Sequence, residues 1–229
     1  MMKVNCVWEH NGNDSLLYAA DYPGAFTRGA SLEEALGKMP DEIAAYLRWC
    51  GQTPPERVIP QVAQEKESTL CVADADSDVL FDTERPPLTM EEYQSLRDLA
   101  LRSAKDFFAL YQSLADKTQP LFPARETFYG PIPHTAQEIY DHVKNVNRYY
   151  FGEIHVEADC LGDIWECRRR GFALLERQPD FLQNTLYRGS YDEDWTLRKV
   201  CRRFIWHDRI HARAILRRLP FTSLDASAE

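Results

Sequence analysis

The chain has 229 residues, 44 % hydrophobic and 12 % aromatic, with a formal net charge of −9. That composition supports a packed interior and argues against disorder, and no apolar run approaches the ~20 residues of a membrane-spanning helix. The opening Met1-Met2-Lys3-Val4-Asn5 lacks the apolar stretch of a secretion signal, so a soluble, cytoplasmic protein is the expectation. The six cysteines show no CxxC spacing and read as reduced packing residues. Acidity is concentrated early: residues 1–85 carry 7 Lys and Arg against 15 Asp and Glu, the rest 20 against 21. Such a balance disfavours nucleic acid as a partner.

The N-terminal elements read as a compact α+β unit. Residues 3–9 and 15–20 have strand-like runs joined by Asn11-Gly12-Asn13-Asp14, a hairpin signal. Tyr22-Pro23-Gly24 makes a further turn and Ala25-Phe26-Thr27 a short strand. Ser31 and Glu34 cap a helix with Ala35, Met39, Ile43 and Tyr46 on one face, and Pro40 predicts a kink or restart within it. Residues 69–72 and 79–81 read as further strands, and 82–87 as an exit linker. The segment Tyr22-Pro23-Gly24-Ala25-Phe26-Thr27-Arg28-Gly29 followed by Ser31-Leu32-Glu33-Glu34-Ala35 resembles the HicB-like antitoxins. The resemblance implies a small antiparallel sheet with a helix over residues 1–85. It also implies a binding module, serving a protein partner or self-association, without catalytic groups of its own.

From Leu88 the period changes to that of helices. Thr89 and Glu92 form a capping box for a helix carrying Tyr93, Leu96, Ala100, Ser103, Phe107, Leu110 and Leu114. Thr135 and Glu138 open a second, with Ile139, His142, Val146 and Tyr149 on one stripe. A third spans about 160–177. A fourth begins near Asp192 or Asp194 and stops before Pro220. Four amphipathic helices predict an all-α four-helix bundle over residues 86–229.

The last helix carries the strongest functional signal. Leu197, Val200, Phe204, His207, His211 and Ala214 alternate steps of three and four, so two histidines stand where the seam calls for apolar residues. An i, i+4 pair can reach one point, and His142 sits on a matching stripe of another helix. Three imidazoles from two helices suit a divalent ion with coordination positions left open for water or substrate. The plainer alternative is three core histidines, each hydrogen-bonded to a carbonyl or carboxylate. The basic residues of this helix (Arg198, Lys199, Arg202, Arg203, Arg209, Arg213, Arg217, Arg218) read as a solvated face paired with acids on neighbouring helices.

Two stretches, Asp141 to Tyr150 and Trp195 to His211, resemble the DinB/YfiT superfamily of four-helix-bundle, metal-dependent proteins. The resemblance covers about 140 C-terminal residues. It implies a divalent ion, zinc or nickel, held by His142, His207 and His211, and a transferase or isomerase reaction with a low-molecular-weight thiol. Placed around that triad, Asn145, Tyr149 and Arg203 are candidates for contacting a small-molecule substrate. Glu138 and Asp208 are candidates for orienting the ligating rings. No nucleophile or acid–base pair is identifiable beside them.

Two functions follow from these residues: a metal-dependent thiol S-transferase or hydrolase, and alternatively a non-catalytic regulatory protein that uses its HicB-like module. A homodimer is the expected assembly.

Overall fold

The computed structural model describes residues 1–127 and 130–219. Pro220, read as the stop of the last helix, lies outside the described residues. Strands β1 (Met2–Asn11), β2 (Asp14–Ala19) and β3 (Phe26–Gly29) precede helix α1 (Leu32–Trp49), and β4 (Val58–Glu67) follows it. The sheet order is β3-β2-β1-β4. β1–β2 and β2–β3 are antiparallel, as the Asn-Gly hairpin dictates. β4 runs parallel to β1, with a bulge between Cys6 and Val7. The expected antiparallel sheet is therefore a mixed one. The chain crosses over through α1 before β4 forms, and such a crossover returns a strand in the same direction.

Ser31 accepts from the Glu34 amide, and the helix it starts runs through Pro40 without a break. Residues 69–72 and 79–81 are not strands. The first ends in a short 3-10 turn at Val72–Asp74 and the second is irregular, yet Val72, Val79 and Phe81 are buried. Their apolar character comes from covering the second face of the sheet. α1 covers the first face through Ala35, Met39, Ile43 and Tyr46 against Val4, Cys6, Leu17 and Ala19. With both faces covered, β2 is a nearly continuous apolar run, as in doubly buried sheets.

The C-terminal part contains α2 (Met90–Ser113), α3 (Ala136–Gly152), α4 (Ile164–Leu175) and α5 (Leu197–Leu216). Thr89–Glu92 and Thr135–Glu138 form the anticipated reciprocal caps, and Asp163–Glu166 does the same for α4. α5 is capped by Thr196, whose hydroxyl accepts from the Lys199 amide, rather than by Asp192 or Asp194. α5 packs on α2 and α3, as does α4. The part is nevertheless not the all-α bundle expected. A ladder of β5 (Glu126–Thr127) and β6 (Gly130–Pro131) lies between α2 and α3, and β7 (Tyr187–Arg188) pairs with β8 (Asp194–Trp195) just before α5. These pieces are too short to show an alternating pattern.

α5 is enclosed on nearly every side. Val200, Cys201, Phe204 and Ile205 join the helical core, whereas Trp206 packs with Val7, Leu16, Tyr18, Phe26, Val79 and Phe81 beneath the sheet. Its basic residues up to Arg213 are paired with acids or carbonyls inside the molecule and do not form a solvated face, whereas Arg217 and Arg218 are exposed. Arg202 pairs with Glu84, Lys199 with Glu193, and Arg209 and Arg213 both with Glu42 of α1. The segment read as an exit linker is thus a 3-10 turn (Asp82–Glu84) with a buried ion pair. No helix among the described residues is long and apolar enough to cross a membrane.

The Tyr22-Pro23-Gly24 turn lies directly on α5. Gly24 has φ +85°, and a Cβ there would collide with the Ile205 side chain. Gly24→Ala is expected to lower stability by about 1–3 kcal/mol through strain and overpacking, seen as a lower urea midpoint at unchanged slope.

A second expectation concerns Lys199, which is 0 % exposed and donates to the carbonyls of Asp78 (2.8 Å) and Asp194 (2.7 Å). Burial lowers its pKa from 10.5 to about 8. Between those values the unfolded chain binds the extra proton, so this residue adds stability as pH rises from about 8 toward 10.5. Thermal melts of Lys199→Met are expected to lack that rise relative to wild type.

Candidate metal centre

The histidine seam predicted for α5 faces α3. His207 and His211 stand one turn apart on α5, and His142 comes from the middle of α3. The His142 and His207 Nε2 atoms are 3.1 Å apart, those of His211 and His207 3.2 Å. All three ligand atoms lie within 4.8 Å of one another. A tetrahedral ion with metal–nitrogen bonds of about 2.0–2.1 Å sets its ligand nitrogens about 3.3–3.4 Å apart, so the cluster has the dimensions of a coordination face.

Hydrogen bonding alone does not account for this arrangement. A neutral imidazole carries one N–H, and the His207 Nε2 atom is approached by two other nitrogens at once. The plainer expectation, a carbonyl or carboxylate acceptor for each ring, is also not met at His207, whose Nδ1 is buried without a protein partner. Burial holds all three imidazoles below their ordinary pKa, and the neighbouring rings push His207 and His211 further, His211 to about 3. Neutral rings present lone pairs, the form in which histidine binds a metal. His207 is 7 % exposed, and the other two are less enclosed. Three histidines close together can therefore bind a metal ion.

The residues expected around the triad distribute differently. Asp208 does not touch the rings. It is 1 % exposed and its carboxylate is taken by Arg168, which pairs with both oxygens, and by the Ser103 hydroxyl at 2.6 Å. Glu138 is also not a ring partner. It caps α3, accepting from the amides of His134 and Thr135, and pairs with the His134 ring at 2.9 Å. The reasons differ: Asp208, at i+1 from His207, points to another side of the helix, where Arg168 and Ser103 hold it, and Glu138 is engaged by the cap it forms at the start of α3. Arg203 lies one turn before His207, with its guanidinium 4.7 Å from the Trp206 ring and 5.5 Å from that of Tyr150. The Tyr150 ring in turn lies 6.0 Å from His207. Asn145 and Tyr149 line a cleft of about 570 Å³ along α3, with Arg148, Glu153, Gly189 and Ser190.

Arg168 was not singled out from the sequence. Its signal was there: it falls between Ile164 and Phe172 on the apolar stripe of α4, and it is 0 % exposed. Through Asp208 it locks α4 to α5 beside His207, and it also donates to Asn147 of α3 (3.0 Å) and to the Ala100 carbonyl of α2 (3.1 Å). One guanidinium thus ties together all four helices. No family model, curated protein or solved structure matches the chain.

Removing the Asp208 carboxylate would strand a buried cation. Asp208→Ala is expected to cost about 3–5 kcal/mol, read from urea unfolding. A loss below about 1 kcal/mol would mean that the pair is not isolated from solvent.

Proposed function

We propose that this chain is a DinB-like, divalent-metal-dependent transferase or hydrolase acting on a small molecule, with His142, His207 and His211 as metal ligands. The observation that carries the reading is the convergence of three neutral imidazole nitrogens, from two helices, at coordination distance. Zinc and nickel are the ions that the DinB resemblance implies, among the several first-row ions that imidazole nitrogens suit. Three protein ligands leave further positions for exchangeable groups, which separates a catalytic site from a closed structural one. A divalent ion held by His142, His207 and His211 would supply Lewis acidity, making water or a thiol more acidic near neutral pH. The protein's own residues then divide the remaining work. The Arg168–Asp208–Ser103 network fixes the α5 turn that carries His207, and a cleft lined by Asn145 and Tyr149 lies along the His142 helix, where a small substrate would bind. A low-molecular-weight thiol as co-substrate belongs to the same proposal.

The competing reading, a regulatory protein acting through a HicB-like module, is less well supported. The Pro23-Gly24 turn on which that resemblance rests is packed against Ile205 of α5, and the adjoining sheet face is filled by Trp206.

Elemental analysis of the purified full chain tests the proposal. About one divalent ion per chain is expected, falling strongly in His207→Ala and His211→Ala. Metal content unchanged in both variants would remove the basis of the reading. A thiol-conjugation screen then addresses the reaction: His142→Ala is expected to lose about tenfold or more of any activity found, and equal rates would exclude catalysis through this centre.

A further inference from the structure

Arg203 differs from the other inward-facing cations of α5. Lys199, Arg202, Arg209 and Arg213 each have a carboxylate within ion-pair distance. Among the described residues Arg203 has none. Its Nη1 donates to the Ser77 carbonyl at 3.0 Å, and its buried Nε finds no acceptor. Two indoles flank it: its guanidinium carbon lies 4.7 Å from the Trp206 ring and 5.9 Å from the Trp195 ring. Both are almost wholly buried, at 3 % and 0 % exposure, and neither Nε1–H has a protein acceptor. Arg203 hydrogen-bonds the Tyr150 side chain and faces the Glu193 and Glu9 carboxylates without pairing with either, so its Nε–H and the two indole N–H groups are left as three donors that an oxyanion would satisfy.

The place borders the cleft along α3, with the Glu153 carboxylate between them. Arg203 itself is only partly buried. The Tyr149 ring, which lines the cleft along α3, lies 6.1 Å from the Trp195 ring. Gly189, another cleft residue, sits so close to Trp195 that a Cβ there would come within 2.6 Å of its Cδ1. The indole edge that carries the unpartnered N–H is therefore next to the cleft. On the other side, Tyr150 bridges Arg203 to His207.

We propose that Arg203, with the indole N–H groups of Trp195 and Trp206, forms an oxyanion-binding site, taking the carboxylate or phosphate group of a small substrate that enters by the α3 cleft. This rests on the metal-site reading only for what lies at the substrate's other end. A planar guanidinium fork matches a carboxylate or phosphate in two-point contact, and the low-polarity walls strengthen that contact. The substrate class is thus a small organic acid or phosphate ester rather than a neutral electrophile.

Intrinsic tryptophan fluorescence reads the site directly. The full-length protein is titrated with benzoate, with succinate and with inorganic phosphate. A saturable change is expected with at least one of them, and which one responds separates carboxylate from phosphate recognition. Arg203→Gln is expected to weaken that binding by about tenfold or more. Arg203→Lys and Trp195→Phe keep charge and ring respectively, so they guard against misfolding, and each is expected to weaken binding by about threefold or more. His142→Ala is expected to titrate like wild type, so loss of metal does not imitate loss of the oxyanion site. Conversely, Arg203→Gln is expected to retain its metal. No saturable response to any of the three anions, or wild-type affinity in both Arg203→Lys and Trp195→Phe, would overturn the proposal.

Discussion

The architecture depends on a single helix buried from two directions. α5 supplies Val200, Phe204 and Ile205 to the helical core and Trp206 to the core beneath the sheet. Side chains on opposite faces of one helix are rigidly related, so the sheet and the bundle share one reference frame. That frame positions His207, which follows Trp206 directly and precedes the Asp208 that Arg168 holds. The histidine is placed by packing on one side and by a buried ion pair on the other.

The charge distribution follows from the same interface. The N-terminal 85 residues are strongly acidic while α5 is basic, and the two are brought together with their charges desolvated. Glu42 of α1 accepts from Arg209 and Arg213, and Glu84 from Arg202. A buried pair adds less net stability than its Coulomb energy suggests, but a mismatch is heavily penalised, so these contacts specify how the two parts meet more than they strengthen the contact. Of the basic residues that read as a solvated helix face, Lys199, Arg202, Arg209 and Arg213 are spent on ion pairs inside the molecule, and Arg217 and Arg218 remain exposed.

The legible features were those with a local period or a local cap. The histidine seam, the boundaries of α2 and α3 and their reciprocal Thr–Glu caps all follow from residues three or four positions apart. What failed was non-local. β4 is an edge strand with most residues solvent-facing, so Gln61, Gln64, Glu65 and Lys66 give it no apolar alternation, and the sequence pattern assigns no element there. Val72, Val79 and Phe81 read as strands because their burial is set by Trp206, more than a hundred residues away. Asp208 was assigned to the histidines because its true partner, Arg168, is distant in sequence. The short ladders of β7–β8 and β5–β6 have too few residues to carry a pattern at all.

The position of Trp206 has a consequence for dividing the molecule. A fragment cut at residue 85 would keep all four strands and α1 yet lose the indole that closes the lower layer. Val7, Leu16, Tyr18 and Phe26 would then border water, a contiguous apolar and aromatic surface of the kind that makes polypeptides adhere to one another. Such a piece would be sticky by construction, and its tendency to associate would report an amputated interior rather than a native docking surface.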